Sequence, residues 1–300
     1  MTTTLTDRGT ATIAPAGPAP SRRRIQIRHT AALGARYLLL LLVTLVTVGP
    51  FLWQLSTSLK GAGENVYGYP PQLLPHQPTA DHYSAVFDTV PVLKYATNSF
   101  VVAVSCALTN CLFGAMAGFA LARMRFGGRR IAFGIFLATM IIPFESIMVS
   151  EFLIVRSLRL NDTLIGVLIP LAVSGLSVLL LRNAFLALPR EVEEAAILDG
   201  AGEWQRFWRI ALPSVRGTLA VVAIFSFVFA WDDFLWPLIV LSDPENYTLT
   251  VGIQYLSGTF TNDQRVIAAG TMMAVVPLLA LFFALQRYFF RGVGEGGVKG

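Results

Sequence analysis

Charge is scarce in this chain. Asp, Glu, Lys and Arg together make up 14% of its 300 residues and hydrophobic residues 54%, whereas soluble domains carry roughly 25% charged residues. A pair of soluble domains is thereby excluded. Cysteine is nearly absent: Cys106 and Cys111 fall in one apolar run, which excludes a disulfide framework and leaves both as small packing residues. The three histidines, His29, His76 and His82, are scattered over polar segments and form no metal cluster. No G-x-x-x-x-G-K-[ST] loop occurs, so the chain itself is not expected to bind ATP. The one G-x-G-x-x-G, at Gly292, Gly294 and Gly297, follows an apolar run and lacks the strand–turn–helix setting of a dinucleotide site. No nucleophile–base arrangement suggests an enzyme. The expectation is a chain without cofactor, metal or catalytic residues.

What is present is apolar runs of membrane-crossing length, about 20 residues each. Six are read: Arg36–Leu55, Thr97–Ala122, Ile131–Val155, Leu164–Leu186, Thr218–Leu241 and Ile267–Phe290. The third is interrupted by Glu145, Ser146, Ser150 and Glu151, and Pro50, Pro143, Pro170, Pro237 and Pro277 are expected to kink the spans that hold them. The fold class is therefore all-α integral membrane, with residues 1–35 a disordered, basic leader and 36–300 one six-span domain. The leader is not a cleavable signal, because the run at Tyr37–Pro50 follows a long basic stretch without a small-residue cleavage site.

Arginine fixes the orientation. Arg8, Arg22, Arg23, Arg24, Arg28 and Arg36 precede the first run, Arg123, Arg125, Arg129 and Arg130 follow the second, Arg182, Arg190, Arg206, Arg209 and Arg216 lie around the loop after the fourth, and Arg287, Arg291 and Lys299 close the chain. The opposite loops hold only Lys60, Lys94, Arg156, Arg159 and Arg265. Cytoplasmic loops are enriched in Lys and Arg, so both termini face the cytoplasm. The net charge of +5 is accounted for by topology and by anionic lipid headgroups, with no nucleic acid partner. Among the remaining segments, Pro70, Pro71, Pro75 and Pro78 exclude a long helix in Ser58–Lys94, Asp81–Phe87 reads as a short helix, and a short surface helix is expected from Thr248. Gly114 and Gly118 form a small-xxx-small pair, suited to packing within this chain or against a second one.

The polar insert 189–216 is the most specific segment. Glu191–Leu198 alternates Val192, Ala195, Ala196 and Ile197 with Glu191, Glu193 and Glu194, an amphipathic helix. Gly200 and Gly202 stop it, a second short helix carries Trp204, Phe207 and Trp208, and Leu212-Pro213 redirects the chain. On these residues alone, a knob for a partner's groove and a helix pair lying on headgroups with Trp204 and Trp208 as anchors both remain open.

The full spacing is Glu194-Ala195-Ala196, three residues, Gly200, nine residues, Ile210, one residue, Leu212-Pro213. It resembles the signature loop of the permease subunits of bacterial ABC importers. Gly118 to Arg123, the run Trp231-Asp232-Asp233-Phe234-Leu235-Trp236-Pro237-Leu238 and the tail Val298-Lys299-Gly300 are similar to the carbohydrate-uptake branch, the maltose- and glycerol-3-phosphate-type permeases. That branch more often has Asn where this chain has Asp232. The resemblance implies a type I importer permease fold in the bacterial inner membrane, with Glu194, Ala195, Ala196, Asp199, Gly200, Ala201 and Gly202 in a cytoplasmic coupling helix and Ile210, Leu212 and Pro213 completing the loop. It implies a second permease subunit, a dimer of ATP-binding subunits that holds the ATP-Mg, and an extracytoplasmic solute-binding protein. Non-sugar import and ion-coupled secondary transport are the alternatives.

Intramembrane ionisable groups are costly and usually face a cavity or a partner. Asp232 and Asp233, with Trp231 and Trp236, are candidate solute-pathway residues, carboxylates for hydroxyls and rings for sugar C–H; Glu145 is another. Structural or interfacial roles explain the same residues equally well. Asn110, Ser174, Ser177 and Ser226 are possible pore-lining groups that helix–helix contacts would also explain, and Glu151 is expected at the outer rim.

Overall fold

The computed structural model describes residues 22–257 and 261–297. The chain divides into two compact units, residues 1–53 and 54–300. Of the expected disordered leader 1–35, residues 1–21 lie outside the described residues, as does the tail Val298-Lys299-Gly300, while residues 22–35 are helical rather than disordered, forming the first turns of α1. Helix α1 (Arg22–Ser58) runs through Pro50, and its segment Leu33–Ser58 is long and apolar enough to cross a membrane.

The second unit is helical, with no strand among its described residues. In chain order it comprises α2 (Asp81–Thr89), α3 (Val92–Arg123), α4 (Arg129–Ile141), α5 (Phe144–Ser157), α6 (Leu164–Leu171), α7 (Gly175–Ala187), α8 (Arg190–Leu198), α9 (Glu203–Arg206), a π turn (Phe207–Ala211), α10 (Leu212–Ser214), α11 (Arg216–Asp232), α12 (Leu235–Val240), a 3-10 turn (Pro244–Asn246), α13 (Leu249–Tyr255) and α14 (Gln264–Gly297). Among the described residues, α1, α3 and α14 are the single helices of spanning length and hydropathy; α4–α5, α6–α7 and α9/α10–α11 pass the same test only as bent pairs, at 108°, 45° and 79°. The expected kink at Pro143 falls on the first of these breaks, whereas Pro170 lies in the last turn of α6 just before the second, and α1 and α14 run on through Pro50 and Pro277. Pro143 immediately precedes α5 and cannot donate to the turn before it.

Helix α3 is the central post, packing along α7 and α11. Its 32 residues reach roughly 48 Å at 1.5 Å per residue. Lipid offers no hydrophobic force between helices, so close backbone approach supplies the contact. A Cβ at Gly118 would lie 2.9 Å from the Arg182 amide nitrogen and 3.1 Å from Leu181 Cβ, and one at Gly114 would lie 3.3 Å from Ser177 Cβ. The small-residue seam is thus filled by α7 of the same chain.

The two ends of the post differ. At its N-terminal end, Ser99 Oγ accepts from the Leu249 amide at 2.8 Å, Asn98 Nδ2 donates to the Tyr247 carbonyl at 3.0 Å, and Lys94 pairs with Glu245. Asp162 ties the α5–α6 turn to the same cluster: its Oδ1 accepts from the Ser242 and Asp243 amides at 3.0 and 2.9 Å, and its own amide donates to the Val240 carbonyl at 2.8 Å. Partial burial works against the Asp162 carboxylate, but the Asp243 and Ser242 amides and Asn246 outweigh it and hold its pKa below the ordinary value. The expected short helix at Asp81 is present as α2. The helix after Thr248 is present too, but it is not a surface helix: Leu249 and Val251 are buried and Gly252 sits under the Tyr95 ring.

Candidate functional site

The insert 189–216 sits at the opposite, C-terminal end of α3. Helix α8 starts after Pro189 and turns off at Gly200, whose φ of +79° lies in the left-handed region. The amides of Gly200 and Ala201 return to the carbonyls of Ile197 and Ala196, closing the helix end as its glycine predicts. Gly202, by contrast, has an ordinary φ of −69° and opens α9. The expected second helix, Trp204 to Ile210, is interrupted: after α9 the chain widens into the π turn, so Leu212-Pro213 enter α10 and the chain bends into α11.

One face of this loop is anchored. Phe207 is buried against Phe119 and Phe185, with ring centroids 5.3 Å from Phe119. Ala211 is buried in the same cluster, and Ala196 of α8 is buried as well. Arg123, the last residue of α3, is the electrostatic link. Its Nε and Nη2 donate to the Phe185 carbonyl at 3.0 and 2.5 Å, and Nη2 also reaches the Leu188 carbonyl at 2.6 Å. These groups stand at the C-terminus of α7, where the helix dipole favours a cation. The same guanidinium lies 3.3 Å from Glu193 Oε1 of α8, the two side chains being 7% and 11% exposed. That oxygen makes no hydrogen bond; the contact is one of charge, because Nε–H points at Phe185.

The other face is open. Val192, Glu194, Ala195, Ile197, Asp199 and Gly200 are exposed, and Leu198 is 88% exposed. Of the signature residues, Glu194, Ala195, Asp199, Gly200, Gly202 and Pro213 face outward, Ala201, Ile210 and Leu212 are half-buried, and Ala196 faces inward. Trp204 is exposed, stacked edge-on against Trp208 at 5.6 Å. The arrangement is an apolar ridge on a helix held from behind.

The intramembrane candidates are dispersed. Trp231 is buried, stacked on Phe227 at 5.8 Å, its Nε1 donating to the Ala274 carbonyl at 3.3 Å. Trp236 is fully buried, its Nε1 donating to the Val167 carbonyl at 3.2 Å and its ring set edge-on to Phe144. Both indoles are satisfied core anchors. Asp233 follows the end of α11, its Oδ1 facing the Trp236 amide at 3.4 Å and its carbonyl accepting from Thr250. Asp232 is exposed at the last position of α11, and Glu145 is exposed in the first turn of α5.

A different set converges. A cavity of about 460 Å³ is lined by Cys106, Asn110, Thr139, Glu151, Ser174 and Ser226, among apolar side chains of α4 to α7 and α11. Glu151, half-buried, is among the lining residues, and its Oε2 is buried and without a hydrogen-bond partner. Asn110 holds the α6–α7 break open, accepting from the Ser174 amide at 2.8 Å and donating to the Leu171 carbonyl at 2.7 Å. All four possible pore-lining groups, Asn110, Ser174, Ser177 and Ser226, thus line one space. Thr139 and Glu151 join only through the bend at Pro143, a long-range consequence without a sequence signal beyond the proline.

Residues 111–295 match the family described as binding-protein-dependent transport system inner membrane component. The chain is 32% identical over 265 residues to the arabinooligosaccharides transport system permease protein AraQ of Bacillus subtilis, covering 88% of this chain and 94% of that one. It is 31% identical over 288 residues to the diacetylchitobiose uptake system permease protein NgcG of Streptomyces coelicolor, covering 95% and 92%. In fold it is similar to a chain of a bacterial ABC transporter that imports the acidic polysaccharide alginate, with a TM-score of 0.77 at 24% identity over 91% of this chain and 99% of that chain. The chain belongs to the family of inner membrane components of binding-protein-dependent transport systems.

Proposed function

We propose that the chain is one of two permease subunits of a bacterial ABC importer and forms half of the pathway for a carbohydrate. The single observation that carries this reading is α8: a short helix tied from behind to Arg123 through Glu193 that offers Leu198, Ile197 and Ala195 outward beside a glycine turn. A partner ATPase that takes this ridge into a groove moves α3, α7 and α11 together, because the same residues join them. Each bent pair counts as one span, giving six spans with both termini and 189–216 in the cytoplasm, in keeping with the arginines clustered at that end. A solute-binding protein delivers sugar to the other end, and ATP-driven closure of the ATPase dimer switches the pathway between inward-facing and outward-facing states.

The solute passes the cavity lined by Asn110, Thr139, Glu151, Ser174 and Ser226. Its volume falls in the range of small-molecule sites, and it offers hydroxyl, amide and carboxylate groups for sugar hydroxyls on apolar walls for ring C–H. Carbohydrate is favoured because the relatives named above carry oligosaccharides. Asp232, exposed beyond the cavity, serves the outer mouth, while Asp233, Trp231 and Trp236 hold the helix break that shapes it. The test is uptake into liposomes holding the reconstituted transporter, with arabino-oligosaccharides and chito-oligosaccharides as probes. ATP-dependent uptake blocked by Thr139→Trp, which fills the cavity, is expected; uptake unaffected by that substitution places the pathway elsewhere.

A further inference from the structure

A second cavity, of about 670 Å³, opens beside the first turn of α4 and is lined by Phe126, Gly128, Arg129, Arg130, Ile131 and Arg182. Three of its six residues carry guanidinium groups and none is acidic. They are not equivalent. Arg129 is fixed to the scaffold, its Nη1 and Nη2 donating to the Met124 and Ala122 carbonyls at 3.3 and 3.1 Å. Arg182 is held by the Phe133 ring, its guanidinium carbon 4.0 Å from the centroid, and its buried Nε has no hydrogen-bond partner. Arg130 is exposed at the rim. Two positive groups are thus positioned before any ligand arrives and the third is free to close over it. Gly128, in the left-handed conformation with φ of +82°, precedes the 13-residue α4, whose first amides have no side-chain cap.

The geometry points to a binding site for the phosphate headgroup of an anionic phospholipid. Planar guanidinium forks match phosphate oxygens, and a helix N-terminus adds dipole to charge. The surface beyond the cavity selects the lipid over a free phosphate. Ile131 and Ile135, on successive turns of α4, are 71% and 61% exposed, and Phe126 at the rim is also exposed. A headgroup seated on the arginines lays its acyl chains along that stripe. The assignment of this end to the cytoplasmic leaflet rests on the topology proposed above; the cavity and its chemistry do not.

The test is native mass spectrometry of the full-length protein extracted from its membrane and titrated in detergent with phosphatidylglycerol, phosphatidylcholine or inorganic phosphate. The expected result is a retained phosphatidylglycerol adduct at least about tenfold more abundant than the phosphatidylcholine adduct. Arg130→Gln, at an exposed position, should lower it several-fold, Arg130→Gln with Arg182→Gln should abolish it, and Arg125→Gln, outside the cavity, should leave it unchanged. Should the double variant fail to fold, the single Arg130→Gln decides. Equal retention of both lipids, equal retention by wild type and Arg130→Gln, or displacement of phosphatidylglycerol by millimolar inorganic phosphate overturns the lipid site. The readout involves no transport and no ATPase, so its failure is distinct from failure of the importer reading.

Discussion

Arg123 Nε stands 3.3 Å from Glu193 Oε1, joining the C-terminal end of α3 to the back of α8 while the same guanidinium caps α7. A charge pair this buried is costly to break one-sidedly, by about 3–5 kcal/mol, because the survivor stays uncompensated. Arg123→Ala removes the pair and the cap together and is expected to lower thermal stability more than Glu193→Gln, which leaves the cap in place. A double-mutant cycle read by thermal unfolding checks this; equal effects of the two substitutions would show that the cap contributes nothing.

Gly200 faces open space, with no atom within 4 Å of a Cβ built on it, yet its φ is +79°. The position tests backbone conformation alone. Gly200→Val should destabilise the turn by about 1–3 kcal/mol, as left-handed strain does, and shift the α8 ridge. Gly200→Asn, a residue that tolerates this region, should remain close to wild type. Protease sensitivity of the 198–204 segment is the measurement, and Val and Asn variants cleaved at one rate would contradict it.

Packing governs the opposite case at Gly118. Its neighbours are the Arg182 backbone and Leu181 Cβ, neither able to swing aside as a long side chain would. Gly118→Ala should cost about 1–3 kcal/mol through overpacking, and Gly118→Leu should abolish the folded yield. Gly114→Ala, meeting Ser177 Cβ at 3.3 Å, should be milder. Monodisperse yield in size-exclusion chromatography ranks the three.

The turn 61–77 carries a pH signature. The Glu64 carboxylate accepts from the amides of His76, Gln77 and Gly61 at 3.0, 3.0 and 2.9 Å. Those amides, His76 first, pull its pKa down to about 2 from the ordinary 4.5. The folded pKa is depressed, so the contribution is complete above about 4.5 and is lost as pH falls through about 2. Proteolysis of the segment by an acid-active protease should therefore rise steeply only as pH approaches 2, and Glu64→Gln should be sensitive already at neutral pH. A flat profile for wild type would contradict the prediction.

Local chemistry was legible in the sequence and long-range packing was not. The stop at Gly200, the break at Pro143 and the short helix at Asp81 depend on a few adjacent residues, and the structure has all three. Trp231 and Trp236 looked like sugar platforms or belt anchors because a run of residues says nothing about which helix lies behind it; Val167 and Ala274, far along the chain, take their N–H groups. The burial of the helix at Leu249 is likewise invisible in its own residues, because Ser99 and Tyr95 of α3, far along the chain, cover it. Glu151 joined Asn110 and Ser226 only because the α4–α5 pair bends by 108°, an angle that a proline permits without specifying.

The central claim is that α8 engages an ATPase. It is tested most directly by purifying the tagged full-length chain from its native membrane, as wild type and as Gly200→Arg, and identifying the proteins retained by mass spectrometry. The account predicts a phosphate-loop ATPase and a second permease with the wild type, and loss of the ATPase alone with the variant. A wild-type chain that emerges without any ATPase, or a variant that keeps it undiminished, would contradict it.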